Sequence, residues 1–326
     1  MDDPSRFETT ALEWQHLVRS TDEFLAQVGP FYAEHRPDLI VYNRYSIPAR
    51  IVARRCQRRA VQFSPHFAYP GGTRYWDRGT CVTPAAMTSY AQRLDELFHA
   101  HDISSAGNLW HTEQLNIHFL PRDFQYRADL FDETFLFVGN RASAPRPAAE
   151  NSDEPVILVS GYSGLAETQT SNLPYFRMFL AAIAGMRCRG ILSIGDDVSV
   201  DSLGPLPTNV AINRHRPNAE IMSQASIFAC HDGMSSTLEA LCDGVPVLAV
   251  PGSPYTQEVA HRVDELGLGR VVPPSALSTA TLRDTLEHMI SDRPLYERAR
   301  EMQRSFTGSG DAGIAANAVE RIFNSL

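Results

Sequence analysis

From residue 156 onward the chain alternates short apolar runs with stretches of helical periodicity. The runs are VILVS (156–160), GILSIG (190–195), NVAIN (209–213), IFACH (227–231), VPVLAVP (245–251) and GRVVP (269–273). Between them the pattern predicts a helix near 172–186, a short helix from Asn218, a helix from Ser235 and another from Thr256, with three more helices to the C-terminus. Strand and helix alternating at this spacing predict a parallel, doubly wound α/β sheet.

The first part of the chain follows the same logic less completely. It predicts an amphipathic helix around 11–35, the strand DLIVY (38–42), a helix from Pro48 to Arg59 and the strand AVQFS (60–64). A Gly/Pro/aromatic loop, a helix around 85–100 and two short strands, LNIHFL and FLFVG (135–139), come next. About four strands are expected here, where a Rossmann-type domain has ~6, so this half reads as a domain lacking its opening. The stretch RASAPRPAAENSDEP (141–155) has no apolar periodicity and reads as a linker. The expected organisation is a partial domain over 1–140, a linker over 141–155 and a full domain over 156–326, the last helix packing back on the first domain.

Composition narrows the field. Lys and Arg number 29 against 38 Asp and Glu, a net charge of -9, which offers no electrostatic footprint for nucleic acid or an anionic membrane. The basic stretch RIVARRCQRR (50–59) reads as a helix with its arginines in water. Five cysteines without CxxC pairing suggest reduced thiols and a cytoplasmic setting. No run approaches the ~20 apolar residues of a membrane span. The histidines lack ligand spacing to Cys, Asp or Glu, so no metal is expected.

The most informative stretch is FACHDGMSSTLEALCDGVPVLAVP, from Phe228 to Pro251. An apolar strand ends at His231, Gly233 permits close backbone approach, and Ser235, Ser236 and Thr237 open a helix whose N–H groups and dipole suit a phosphate. An ordinary N-cap explains the same residues, and both readings stand at this point.

Here the sequence resembles the nucleotide-sugar-dependent glycosyltransferases of the macrolide and plant natural-product type, which have the GT-B fold of two Rossmann-like domains. The resemblance covers nearly the whole chain. The family's donor motif has His-x-Gly-x-x-Ser-x-x-Glu spacing, matched by His231, Gly233, Ser236 and Glu239 and followed by EALCDGVPVLAVP and RVDELGLGR. The resemblance implies that His231, Ser236 and nearby N–H groups hold the pyrophosphate and that Glu239 accepts hydrogen bonds from the ribose hydroxyls. It implies a UDP- or dTDP-sugar as co-substrate, with no further cofactor, and a small-molecule acceptor from secondary metabolism.

The chain also departs from the family. The Trp that stacks on the nucleobase is replaced by His215, either a smaller stacking partner or a surface residue, and Asn218 follows Pro217 where the family has Pro-Gln. Tyr255 and Thr256 stand at the Asp/Glu-Gln pair that grips the sugar, with Gln257 one place later. The strand-end Asp that orients the catalytic His is Asn43, and the segment that carries that His in the family has no counterpart here, so the resemblance implies an N-terminal truncation and an incomplete dyad. A first strand without its neighbours further predicts an exposed apolar edge and a sheet face lacking its helices. Ser163, in the Gly-rich stretch after the first strand of the second domain, is a candidate donor contact. The aromatic loop 66–86 either lines an acceptor pocket or packs as an ordinary long loop.

Three functions follow. The leading one is inverting transfer of a hexose to a hydroxyl of a hydrophobic metabolite. The second is a catalytically inactive, nucleotide-binding or accessory protein with a protein partner; the third, ranked last, is sugar-nucleotide epimerisation.

Overall fold

The structure, a computed structural model, describes residues 5–69, 84–101, 103, 111–139, 154–161, 172–195, 198–214, 217–231 and 233–325, and gives the backbone alone for 5–19, 84–91, 254 and 255. In chain order it runs α1 (Ser5–His35), β1 (Leu39–Asn43), α2 (Ile47–Arg55), β2 (Arg59–Ser64), α3 (Pro84–Ala100), β3 (Leu115–His118) and β4 (Phe135–Phe137). It continues with β5 (Val156–Ser160), α4 (Leu173–Ile183), β6 (Arg189–Ser193), β7 (Val210–Asn213), α5 (Asn218–Ile221), β8 (Ile227–Cys230) and α6 (Met234–Cys242). After these come β9 (Val247–Ala249), α7 (Pro254–Glu265), β10 (Gly269–Val271), α8 (Thr279–Ser291), α9 (Arg293–Gly308) and α10 (Ala312–Asn324). The chain divides into two compact units, Met1–Asn140 with Ser309–Leu326, and Arg141–Gly308.

The second unit holds a six-stranded parallel sheet in the order β10-β9-β8-β5-β6-β7. Read from the other edge, this is the doubly wound Rossmann order, with the first strand next to the fourth. Because such a sheet is covered on both faces, its strands are apolar at every position rather than alternating. Val156 to Val159 and Ile227 to Cys230 are accordingly all buried. Gly269 is required by register: a Cβ there would lie 2.0 Å from the Val247 carbonyl oxygen of the neighbouring strand. Phe176 and Phe179 of α4 and Leu282 and Leu286 of α8 complete the core against β5 and β8.

The first unit holds a four-stranded parallel sheet in the order β1-β2-β3-β4. One face is closed by the first three helices, where Leu25, Ile51, Leu94 and Phe98 pack on Ile40 and Tyr42. The other is closed by α10, whose Ala315 and Ala318 meet Val61, Leu115 and Ile117. Both units are thus Rossmann-like α/β layers, as the resemblance implies.

Three expectations need correction. The helix begun at Ile47 ends at Arg55 rather than Arg59, because Gln57 adopts a left-handed φ of 51° and Arg59 already belongs to β2. Its arginines do not all face water: Arg50 is buried, its guanidinium 4.8 Å from the Phe98 ring centre, and Arg54 pairs with Glu113 at 3.0 Å. β1 is a sheet edge and Val41 is 47 % exposed, but neither face of the sheet is bare, since Ile40 and Tyr42 lie under the helices.

Candidate functional site

In an open α/β sheet a ligand sits beyond the carboxyl ends of the strands where the winding reverses. In the second unit that point lies between β5 and β8, which are hydrogen-bonded neighbours. Ser160 ends β5, and His231 directly follows β8. The Ser160 hydroxyl accepts a hydrogen bond from the Asn218 amide nitrogen at 2.8 Å, which ties the start of α5 to this edge. With its nitrogen so engaged, Asn218 presents a buried carbonyl oxygen that has no hydrogen-bond partner among the described residues.

His231 is half-buried, and its ring stacks on Tyr175 of α4 with centroids 4.2 Å apart and planes 27° apart. Burial lowers its pKa, opposed by a backbone hydrogen bond to Val250 that favours the protonated ring. The imidazole is therefore neutral at pH 7 and gains a proton most readily beside an anion.

The turn after β8 leads into α6, and Gly233 is its N-cap. A glycine has no side chain with which to cap, so among the described residues no N-cap side chain occupies the first-turn N–H groups of α6, which suit an anionic acceptor. The helix begins one residue before the expected Ser235. Ser235 is exposed and Ser236 half-buried, whereas Thr237 is wholly buried and faces the core. Glu239 lies one turn beyond Ser236 and is half-buried; burial, then the Asp243 carboxylate, raises its pKa.

At the end of β9 the chain enters α7 through a reciprocal cap. The Ser253 hydroxyl accepts the Thr256 N–H at 3.2 Å, and the Thr256 hydroxyl accepts the Ser253 N–H at 3.0 Å. Thr256 is buried and occupied by this cap, Gln257 is exposed, and Tyr255 lies within the first turn of the same helix. His215 and Ser163 lie outside the described residues, as do Tyr75 and Trp76 of the aromatic loop. Tyr69 of that loop is buried, with the Arg44 guanidinium 5.7 Å from its ring centre. In the first unit Asn43 ends β1, and its side-chain oxygen accepts the Tyr45 N–H at 3.0 Å. Among the described residues no group of three or more His, Cys, Asp or Glu could hold a metal ion, and no helix is long and apolar enough to cross a membrane.

Sequence reasoning did not find Ser160 or Tyr175. Ser160 could have been found, as the last residue of the strand at the winding reversal. Tyr175 could not, because only tertiary packing brings α4 under His231.

Residues 178–311 match the family model described as erythromycin biosynthesis protein CIII-like, C-terminal domain. The chain is 28% identical to the NDP-glycosyltransferase YjiC of Bacillus licheniformis, over 93% of this chain and 77% of that protein. It is 27% identical to the oleandomycin glycosyltransferase of Streptomyces antibioticus, over 98% of this chain and 76% of that protein. The crystal structure of CalG4, the calicheamicin glycosyltransferase, superposes with a TM-score of 0.80 at 29% identity, covering 96% of this chain and 80% of that one.

The chain has the GT-B fold and is similar to glycosyltransferases of the macrolide/UDP-glycosyltransferase type. The matched segment contains His231, the start of α6 at the Gly233 N-cap, Ser236 and Glu239.

Proposed function

We propose that this glycosyltransferase moves a hexose from a UDP- or dTDP-sugar to a hydroxyl of a small hydrophobic secondary metabolite, inverting the anomeric carbon. It does so in the cytoplasm and needs no cofactor beyond the sugar nucleotide. The observation that carries the reading is the convergence of His231, the start of α6, Ser236 and Glu239 at the winding reversal of the second unit. Protonated His231, Ser236 and the N–H groups of α6 suit a diphosphate, and a half-buried Glu239 suits the ribose hydroxyls. Inversion is a single displacement. The acceptor oxygen bonds to the anomeric carbon as the bond to the diphosphate breaks, the electron pair leaves on a phosphate oxygen, and the acceptor proton goes to a base. Charge developing on the leaving diphosphate is stabilised by the α6 N–H groups, fixed dipoles that need no reorganisation.

His215 is assigned to the nucleobase, and Ser163 to the donor phosphates. Tyr255, Thr256 and Gln257 occupy the sugar-contacting stretch, although the cap occupying Thr256 leaves Gln257 as the better placed of the last two. A second reading, an inactive nucleotide-binding or accessory protein, is favoured by Asn43, which is not anionic and whose oxygen is engaged in a local turn.

Calorimetric titration with UDP and dTDP tests the donor site, with His231→Ala as control. Saturable binding lost in the variant supports it, and no binding to a folded sample overturns it. Incubation with UDP-glucose or dTDP-glucose and a panel of macrolide and phenolic acceptors then separates the enzyme from the inactive reading.

A further inference from the structure

We propose that Tyr175 is the positioning residue of the donor site: its ring fixes the plane of the His231 imidazole, so that His231 meets the diphosphate already oriented. The inference rests on the donor-site reading above and adds to it a residue of α4, outside the motif that suggested the site.

His231 follows the last residue of β8, where the chain leaves the sheet, and a side chain there has two free torsions. Two contacts remove them. The hydrogen bond to the Val250 backbone holds one edge of the ring, and the stack on Tyr175 at 4.2 Å holds one face. Gly252 leaves room for this arrangement, since even a Cβ there would come only within 3.7 Å of the His231 Nδ1.

Tyr175 can serve as a fixed platform because α4 is itself locked. A Cβ on Gly161 would lie 2.6 Å from the Phe176 ring, so the helix is seated directly against the end of β5. Tyr175 also packs against Phe179, ring centroids 4.8 Å apart and planes tilted by 57°, and both rings are buried. The Tyr175 hydroxyl is buried without a hydrogen-bond partner among the described residues. What the site uses at this position is therefore the ring and not the hydroxyl. The ring face offered to His231 is electron-rich and favours the imidazolium that an anionic ligand requires.

The test compares Tyr175→Phe, which keeps the ring, with Tyr175→Leu and Tyr175→Met, which fill the space without one. Each is titrated calorimetrically with UDP and dTDP, and the imidazole resonances of His231 are followed by NMR, with circular dichroism to establish folding. The expected result is binding by Tyr175→Phe within about twofold of the parent and about tenfold weaker binding by the ringless variants. Loss of the ring-current shift on His231 should accompany the weaker binding. Undiminished binding by either ringless variant, with the parent binding normally, overturns the inference and leaves the donor site standing. A folded parent that binds neither nucleotide overturns both.

Discussion

The Tyr42 hydroxyl donates a 2.6 Å hydrogen bond to the carboxylate of Glu113, joining β1 to the residues just before β3 inside the first unit. Burial pushes the Glu113 carboxyl up. Hydrogen bonds from His111 and Tyr42 and the charge of Arg54 more than offset this, and its pKa lies below the usual 4.5. A carboxyl depressed by folding stabilises the protein above its unfolded pKa, and that contribution is lost as pH falls through the folded value. Tyr42→Phe is expected to cost about 1.5–3 kcal/mol at pH 7, the usual range for a hydrogen bond to a charged group. Urea unfolding at a series of pH values checks this; the penalty should shrink in acid, where Glu113 is protonated.

A lowered pKa at His231 makes the diphosphate binding proposed for it a proton-uptake reaction. The lowered pKa leaves the free ring uncharged at pH 7, and an anionic ligand raises it again. UDP affinity relative to a His231→Gln variant should improve between roughly pH 8 and roughly pH 6, with net proton uptake. Calorimetry in two buffers of different ionisation heat measures that uptake directly. Equal heats corrected for buffer would remove His231 from the linkage.

Gly161 is a steric position. A methyl group there meets the Phe176 ring at 2.6 Å, so Gly161→Ala should destabilise the second unit by about 1–3 kcal/mol, as overpacking does. The double variant Gly161→Ala, Phe176→Leu should recover part of that loss. Simple additivity in thermal unfolding would show that the two side chains do not meet.

The reciprocal cap of α7 predicts an asymmetry between neighbouring residues. Thr256→Val and Ser253→Ala should each lower stability by about 0.5–2 kcal/mol. Gln257→Ala, at an exposed position, should leave stability nearly unchanged while altering sugar preference. Denaturation midpoints and a donor-sugar panel distinguish the two classes.

Much of the fold was legible because both sheets are parallel. Strands such as β5 and β8, buried on both faces, appear as unbroken apolar runs, and the Gly-containing turn after β8 marks the reversal of winding. The fixed offsets from His231 to Glu239 singled out the candidate site, which the fold sets at the reversal of winding. What could not be read depended on distant partners. Arg50 looked solvated because its own helix is amphipathic, yet Phe98 of α3 lies against it. Thr256 stands where the family resemblance places one of the sugar-gripping pair, and that its hydroxyl bonds the backbone of Ser253 could not be read from that offset.

The first unit is assembled from two pieces of chain separated by the whole of the second. Val61, Leu115 and Ile117 form a face that α10 alone covers among the described residues, and α10 is translated after every residue of the second unit. During synthesis the second unit therefore has all its strands and helices in hand while that face is still bare. Among the described residues, that apolar side of the first sheet gains its cover only once residues 312–324 have left the ribosome.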